Sequence, residues 1–181
     1  VTTAALARRR FALAALSAPL LAGCAALLEP PQTAALAARA PAGLPRRAEL
    51  DATPFFAQTE YHCGPAALAT LLRAAGRDAS PETLAAQVFL PARSGTLQAE
   101  MLAGARRHGA VAVRLPGELE ALLREVAAGR PVVVLQNLAL SFAPRWHYAV
   151  LVGYDLDAGE AVLRSGTTRR AVLALRTLEH T

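Results

Sequence analysis

The hydrophobic pattern changes period once along this chain, and that change limits the folds open to it. As far as Gly129 the apolar residues recur mainly at three- and four-residue spacing, and beyond it they form continuous runs. The first spacing marks one face of a helix, while short apolar runs bounded by turn residues mark buried strands. "GPAALATLLRAA" puts Leu68, Leu71 and Leu72 on one face, and Gly76 follows as a C-terminal cap. "SPETLAAQVF" opens with Ser80 as N-cap and Pro81 in the first turn. "TLQAEMLAGARRHG" reads as a third helix from a Thr96 cap to a Gly109 stop, and "GELEALLREVAAG" as a fourth ending at Gly129. "AVAVRL", between these two, reads as a short strand. "RPVVVLQNL" is a buried strand. "WHYAVLVGYD" and "EAVLRSG" form a hairpin through "LDAG", and "RRAVLAL" adds another strand. Helices first and antiparallel strands last make an α+β domain, with helices packed on one face of the sheet.

The N-terminus carries a different signal. "ARRR" precedes the apolar stretch "FALAALSAPLL", about a dozen residues long, which is short for a bilayer span and suited to a signal peptide. It ends in "LAGC", at Cys24. This box resembles a bacterial lipoprotein signal. The resemblance implies cleavage before Cys24, acylation of its thiol and new amino terminus, and anchoring by two or more acyl chains. Ala25 follows where an Asp would favour inner-membrane retention, so the resemblance implies the periplasmic face of the outer membrane. An ordinary signal peptide with a chance cysteine is the alternative. Residues 1–23 are thus expected to be signal, 24–48 a lipidated N-terminus and flexible tether rich in Ala, Pro and Arg, and 49–181 the folded domain.

The formal net charge is +5, but Arg8, Arg9 and Arg10 lie in the signal. Without them the chain is too weakly basic for a nucleic-acid binder, and no basic stripe interleaved with aromatics appears elsewhere.

If Cys24 is acylated, Cys63 is left without a partner, since the chain has two cysteines. One thiol does not make a thiolate zinc site, and no His pair at ligand spacing accompanies it; no metal or cofactor is implied. Cys63 could be buried filler. It could also be a nucleophile, because it immediately precedes Gly64-Pro65 and a helix, whose positive end favours a thiolate. Gln58, in the extended segment before it, could offer an amide N–H to an oxyanion. Of the four histidines, His180 is terminal, His108 sits at a helix C-terminus and His62 is adjacent to the cysteine. His147 opens an apolar strand, where an imidazole suits a site lining. Cys63 and His147 are either a pair or a core cysteine and a sheet-edge histidine.

"QTEYHCGPAAL", followed far downstream by "WHYAVLVGYD", resembles the papain-like bacteriocin-processing, double-glycine leader peptidases. The likeness spans roughly residues 52–166 and is nearest to the stand-alone lipoprotein members. It implies a papain-like cysteine peptidase fold, a peptide or protein substrate, Cys63 as nucleophile, His147 as general base and Gln58 as oxyanion donor. The family places an Asp, followed by Pro, on the strand after the histidine to orient the ring. Here that position holds Ser165, followed by Gly166. A hydroxyl accepts the ring N–H but does not stabilise imidazolium as a carboxylate does. Asn137, after the buried strand, is the second candidate, while Asp155 and Asp157 fall in the hairpin turn. An inactive peptidase fold that binds a partner is the competing reading.

Overall fold

The structure is a computed structural model that describes residues 29–58 and 61–181; the proposed signal and Cys24 lie outside the described residues. The described elements are, in order, α1 (Pro31–Ala38), β1 (Arg47–Glu49), α2 (Cys63–Ala74), α3 (Pro81–Val88), a 3-10 turn (Pro91–Arg93), α4 (Gln98–Arg107), α5 (Leu119–Ala127), β2 (Val132–Asn137), β3 (Trp146–Asp155), β4 (Glu160–Ser165), β5 (Thr168–Ala174) and α6 (Leu175–His180). The fold is α+β around one antiparallel sheet.

Strand β3 is the spine of that sheet. On one side it pairs with β2 from Val132↔Leu151 to Asn137↔Trp146, and further along with β1. On the other it pairs with β4, and β5 lies outside β4. A bulge falls between Leu151 and Gly153. A Cβ on Gly153 would stand 3.0 Å from the Ala48 carbonyl oxygen, so the missing side chain lets β1 approach there.

Both faces of β3 are covered. Tyr148, Val150 and Val152 pack with Leu68, Leu72, Leu84 and Met101 of α2–α4. Ala149, Leu151 and Tyr154 pack with Leu36 of α1, Leu123 and Val126 of α5 and Leu178 of α6. The expectation of helices on one face is corrected accordingly. The physical reason is visible in β3 itself, which is apolar at nearly every position and must bury both faces. Helix starts and stops follow the sequence signals closely. Ser80 and Thr83 form a capping box, and Gly76, Gly109 and Gly129 all adopt positive φ just after helices.

Three further expectations change. Residues 29–48 are not a free tether: Leu36 and Leu44 are core residues, and Glu179 of α6 accepts hydrogen bonds from the Gln32 N–H (2.9 Å), the Thr33 N–H (2.7 Å) and the Thr33 hydroxyl (2.7 Å). The Gln32 side chain in turn accepts from the Leu119 N–H, at the start of α5, at 2.6 Å. The segment is mostly Ala and Pro, so its anchoring groups carry no periodic pattern. The strand expected in "AVAVRL" does not form. That segment joins no ladder; Val111 is 95% exposed, and it shares a cavity of about 1040 Å³ with the outer edge of β2. Finally, the chain ends in α6, which buries Leu175 and Leu178 and was not anticipated.

Candidate active site

Cys63 is the first residue of α2 and a free, half-buried thiol. The chain reaches it through a sharp turn, with Tyr61 at φ +69°, a left-handed conformation that an aromatic L-residue adopts only under local strain. Pro65 sits in the first turn, where its missing N–H leaves no intrahelical bond unmade. Gly64 is buried because Thr96 lies on it: a Cβ there would be 2.6 Å from both Cβ and Oγ1 of Thr96. This contact explains why α4 starts at Gln98 with Leu97 as its cap rather than Thr96. The Thr96 side chain packs against α2 at Gly64 instead.

His147 is the second residue of β3 and is partly buried. Its Nε2 lies 3.0 Å from the Ser165 hydroxyl, at the end of β4. The contact exists because β3 and β4 part company here. Their pairing ends at Val150↔Arg164, and Gly166, at φ +57°, turns the chain into β5. With Nε2 engaged, Nδ1 is the other ring nitrogen able to donate or accept a proton. Burial, and then the nearby Arg145 cation, push the imidazole below its ordinary titration range, so the neutral ring is favoured.

Gln58 closes the gap between the separated strands. Its backbone N–H donates to the Gly166 carbonyl (2.9 Å), its Oε1 accepts from the Gly166 N–H (3.1 Å), and its Nε2 donates to the Tyr148 carbonyl (3.3 Å). A carboxamide nitrogen has two hydrogens, so one remains for another acceptor. Gln58 therefore fastens the segment leading to Cys63 onto the turn that carries Ser165. Asn137 is engaged elsewhere. Its Oδ1 accepts from the N–H groups of Ala139 (3.1 Å) and Arg145 (2.9 Å), closing the 138–145 loop that leads into His147. It shapes the approach to the imidazole and makes no hydrogen bond with it.

Among the described residues no hydrogen bond joins the Cys63 thiol to the His147 ring. The β3 side chain whose titration responds to Cys63 is Tyr148, the neighbour of His147 on the helix side of the strand. It is 4% exposed, and burial first and the Cys63 charge second push its phenol up to about 12. The Tyr148 hydroxyl and the Thr96 hydroxyl are buried without a hydrogen-bond partner among the described residues. Neither was singled out as a site residue on sequence grounds, because Tyr148 reads as strand core and Thr96 as a helix cap. Of the other histidines, the His62 ring packs against Phe89 at 4.9 Å and lines a cavity of about 330 Å³ with Phe56, Ala66 and Pro81. His108 lies 3.4 Å from the Gln87 amide, far along α4. Among the described residues no group of three His, Cys, Asp or Glu is placed to hold a metal ion.

Helices packed on an antiparallel sheet, one of them opening on a free thiol, give the fold of a papain-like cysteine peptidase domain. The comparisons are specific within that class. The model of the peptidase C39-like family matches residues 50–165, and the chain belongs to that family. The fold is similar to the crystal structure of a provisionally named C39-like peptidase from Bacillus anthracis, with a TM-score of 0.64 and 20% identity over 75% of this chain and 92% of the other. No curated protein sequence matches.

Proposed function

We propose that this protein is a cysteine peptidase held in the cell envelope by a lipid on Cys24. The observation that supports the hydrolytic reading is the 3.0 Å contact of His147 Nε2 with the Ser165 hydroxyl, and we assign the other ring nitrogen, Nδ1, to the thiol proton. The Cys63 proton passes to Nδ1 as the sulfur attacks the substrate carbonyl, giving a tetrahedral oxyanion. The remaining N–H of Gln58 and the Cys63 backbone N–H, which lies in the first turn of a helix, stabilise that charge. The imidazolium returns the proton to the leaving amine as the C–N bond breaks. Water, deprotonated by His147, then cleaves the thioester and restores the thiol. A neutral resting imidazole suits a ring that must first accept a proton. In resting cysteine–histidine sites the catalytic bond is often long and tightens with substrate bound.

The missing carboxylate at position 165 favours a second reading, a peptidase fold that binds a peptide or protein partner with little turnover. The separating experiment uses the full chain and a complex peptide mixture read by mass spectrometry. The peptidase reading expects new peptide termini from the wild type and none from Cys63→Ser, with both variants equally folded. Equal cleavage by the two removes Cys63 from the chemistry. For the anchor, "LAGC" is the support, and Cys24→Ser is expected to abolish labelling by a palmitate analogue.

A further inference from the structure

Buried polar side chains normally find a hydrogen-bond partner, and one that does not calls for a reason. Tyr148 is 4% exposed, and its hydroxyl has no partner among the described residues. Tyr148 belongs to the cluster that contains Leu68 and Leu72 of α2 and Met101 of α4, and Cys63 packs against that same cluster. Its cross-strand neighbour on β2 is Leu135, again apolar. Among the cluster and the side chains packed on it, Tyr148 and Cys63 are the two that can ionise. The segment leading to Cys63 is also fastened to Tyr148: the Gln58 amide donates to the Tyr148 carbonyl at 3.3 Å. A phenol left unpaired in apolar surroundings costs the fold stability. That cost turns into a gain when a group in the same cluster becomes negative.

We infer that Tyr148 is a positioning residue for the nucleophile: its buried hydroxyl donates a hydrogen bond to the Cys63 sulfur once the thiol has lost its proton. A neutral thiol is a weak acceptor, which leaves the hydroxyl unpaired in the resting protein. A thiolate is a charged acceptor, and hydrogen bonds to charged groups are roughly twice as strong as neutral ones. The phenol keeps its own proton throughout, because burial and the Cys63 charge push its pKa up to about 12. The inference rests on Cys63 as the reactive thiol and adds a third role at the site. His147 takes the thiol proton, Gln58 meets the oxyanion, and Tyr148 stabilises the sulfur anion between those events.

Tyr148→Phe deletes the hydroxyl and keeps the ring. In the full chain, alkylation of Cys63 by iodoacetamide is followed against pH and read by mass spectrometry on the peptide that carries Cys63. His62 and His147, the ionisable neighbours of Cys63 and Tyr148 along the chain, are the same in both proteins, so their charges drop out of the comparison. The pH of half-maximal reactivity is expected to lie about one unit higher in Tyr148→Phe, which is an about ten-fold smaller thiolate fraction well below it. A hydroxyl that is merely trapped predicts a higher urea midpoint and an unmoved profile, and an unmoved profile overturns the inference. Fluorotyrosine in place of the three tyrosines tests the same bond with the side chain retained. A more acidic phenol is a stronger donor, so the profile is expected to move to lower pH, and to stop moving in Tyr148→Phe. A shift that survives in Tyr148→Phe belongs to Tyr61 or Tyr154 and overturns the assignment. Turnover keeps the inference apart from the peptidase reading. Peptide cleavage with an unmoved profile leaves the peptidase reading standing and removes Tyr148. A raised profile in a protein that cuts nothing does the reverse.

Discussion

Replacing Ser165 by Asp tests the electrostatics of the site at its weakest point. The Ser165 hydroxyl is 3.0 Å from His147 Nε2 and carries no charge, while burial and Arg145 both disfavour the imidazolium. A carboxylate at that place brings a full negative charge to about 4 Å from the ring. At an effective dielectric near 20, two unit charges at about 4 Å interact by about 4 kcal/mol. Partial desolvation of the new carboxylate offsets some of this, leaving a rise of about 1–2 pKa units, or about 1.4–2.7 kcal/mol, for His147. The pH dependence of stability then changes in a defined direction. In the wild type the folded-state pKa lies below the unfolded value, so His147 makes stability fall as pH drops through about 6.5. In Ser165→Asp the rise works against that depression, so the stability lost on acidification shrinks and turns into a gain once the folded-state pKa passes the unfolded one. The assay is NMR titration of the four histidine ring resonances, with His147 assigned by its loss in His147→Gln. Turnover at neutral pH is expected to rise with the shift. A His147 resonance that stays put or moves down refutes the placement of Ser165 behind the ring.

Two other substitutions probe how the site is supported. Gly64→Ala forces a Cβ into Thr96 at 2.6 Å, and overpacking of that kind is expected to cost about 1–3 kcal/mol and slow Cys63 alkylation; an unchanged urea midpoint would show that Thr96 yields freely. Glu179→Gln removes the charged acceptor of three hydrogen bonds and is expected to cost about 1–2 kcal/mol. Burial works against the Glu179 charge, but the hydrogen bonds from Gln32 and Thr33 prevail and hold its pKa low. Its stabilisation is therefore present above the unfolded carboxylate value and lost as pH falls through the depressed folded value. Urea unfolding between pH 3 and pH 7 should show that loss in the wild type and a flatter profile in the variant.

What could be read from the sequence was whatever leaves a local mark. Helix caps at Ser80, Gly76 and Gly129 and the apolar strands β2 to β4 follow from short-range chemistry, and the structure places them as expected. The His147–Ser165 contact lay within reach of the family resemblance, which puts the ring-orienting position at residue 165. The anchoring of residues 30–44 did not, because it depends on Gln32, Thr33 and Glu179 meeting across 146 or 147 positions of chain. "AVAVRL" alternates correctly for a strand, yet a strand needs a neighbour, and no sequence pattern shows that β2 keeps its distance. Gln58 was read for one free amide hydrogen. Its other bonds, to Tyr148 and Gly166, arise from the splaying of β3 from β4, which only the three-dimensional sheet reveals.

The central claim is that the Cys63 thiol and the His147 imidazole act together, and one rate tests it most directly. Alkylation of Cys63 by iodoacetamide is followed at pH 7 in the full chain, with and without His147→Ala. A working pair predicts that loss of the proton acceptor slows alkylation by about ten-fold or more. Identical rates in the two proteins, with the fold intact, would contradict the pair and leave the peptidase fold without its chemistry.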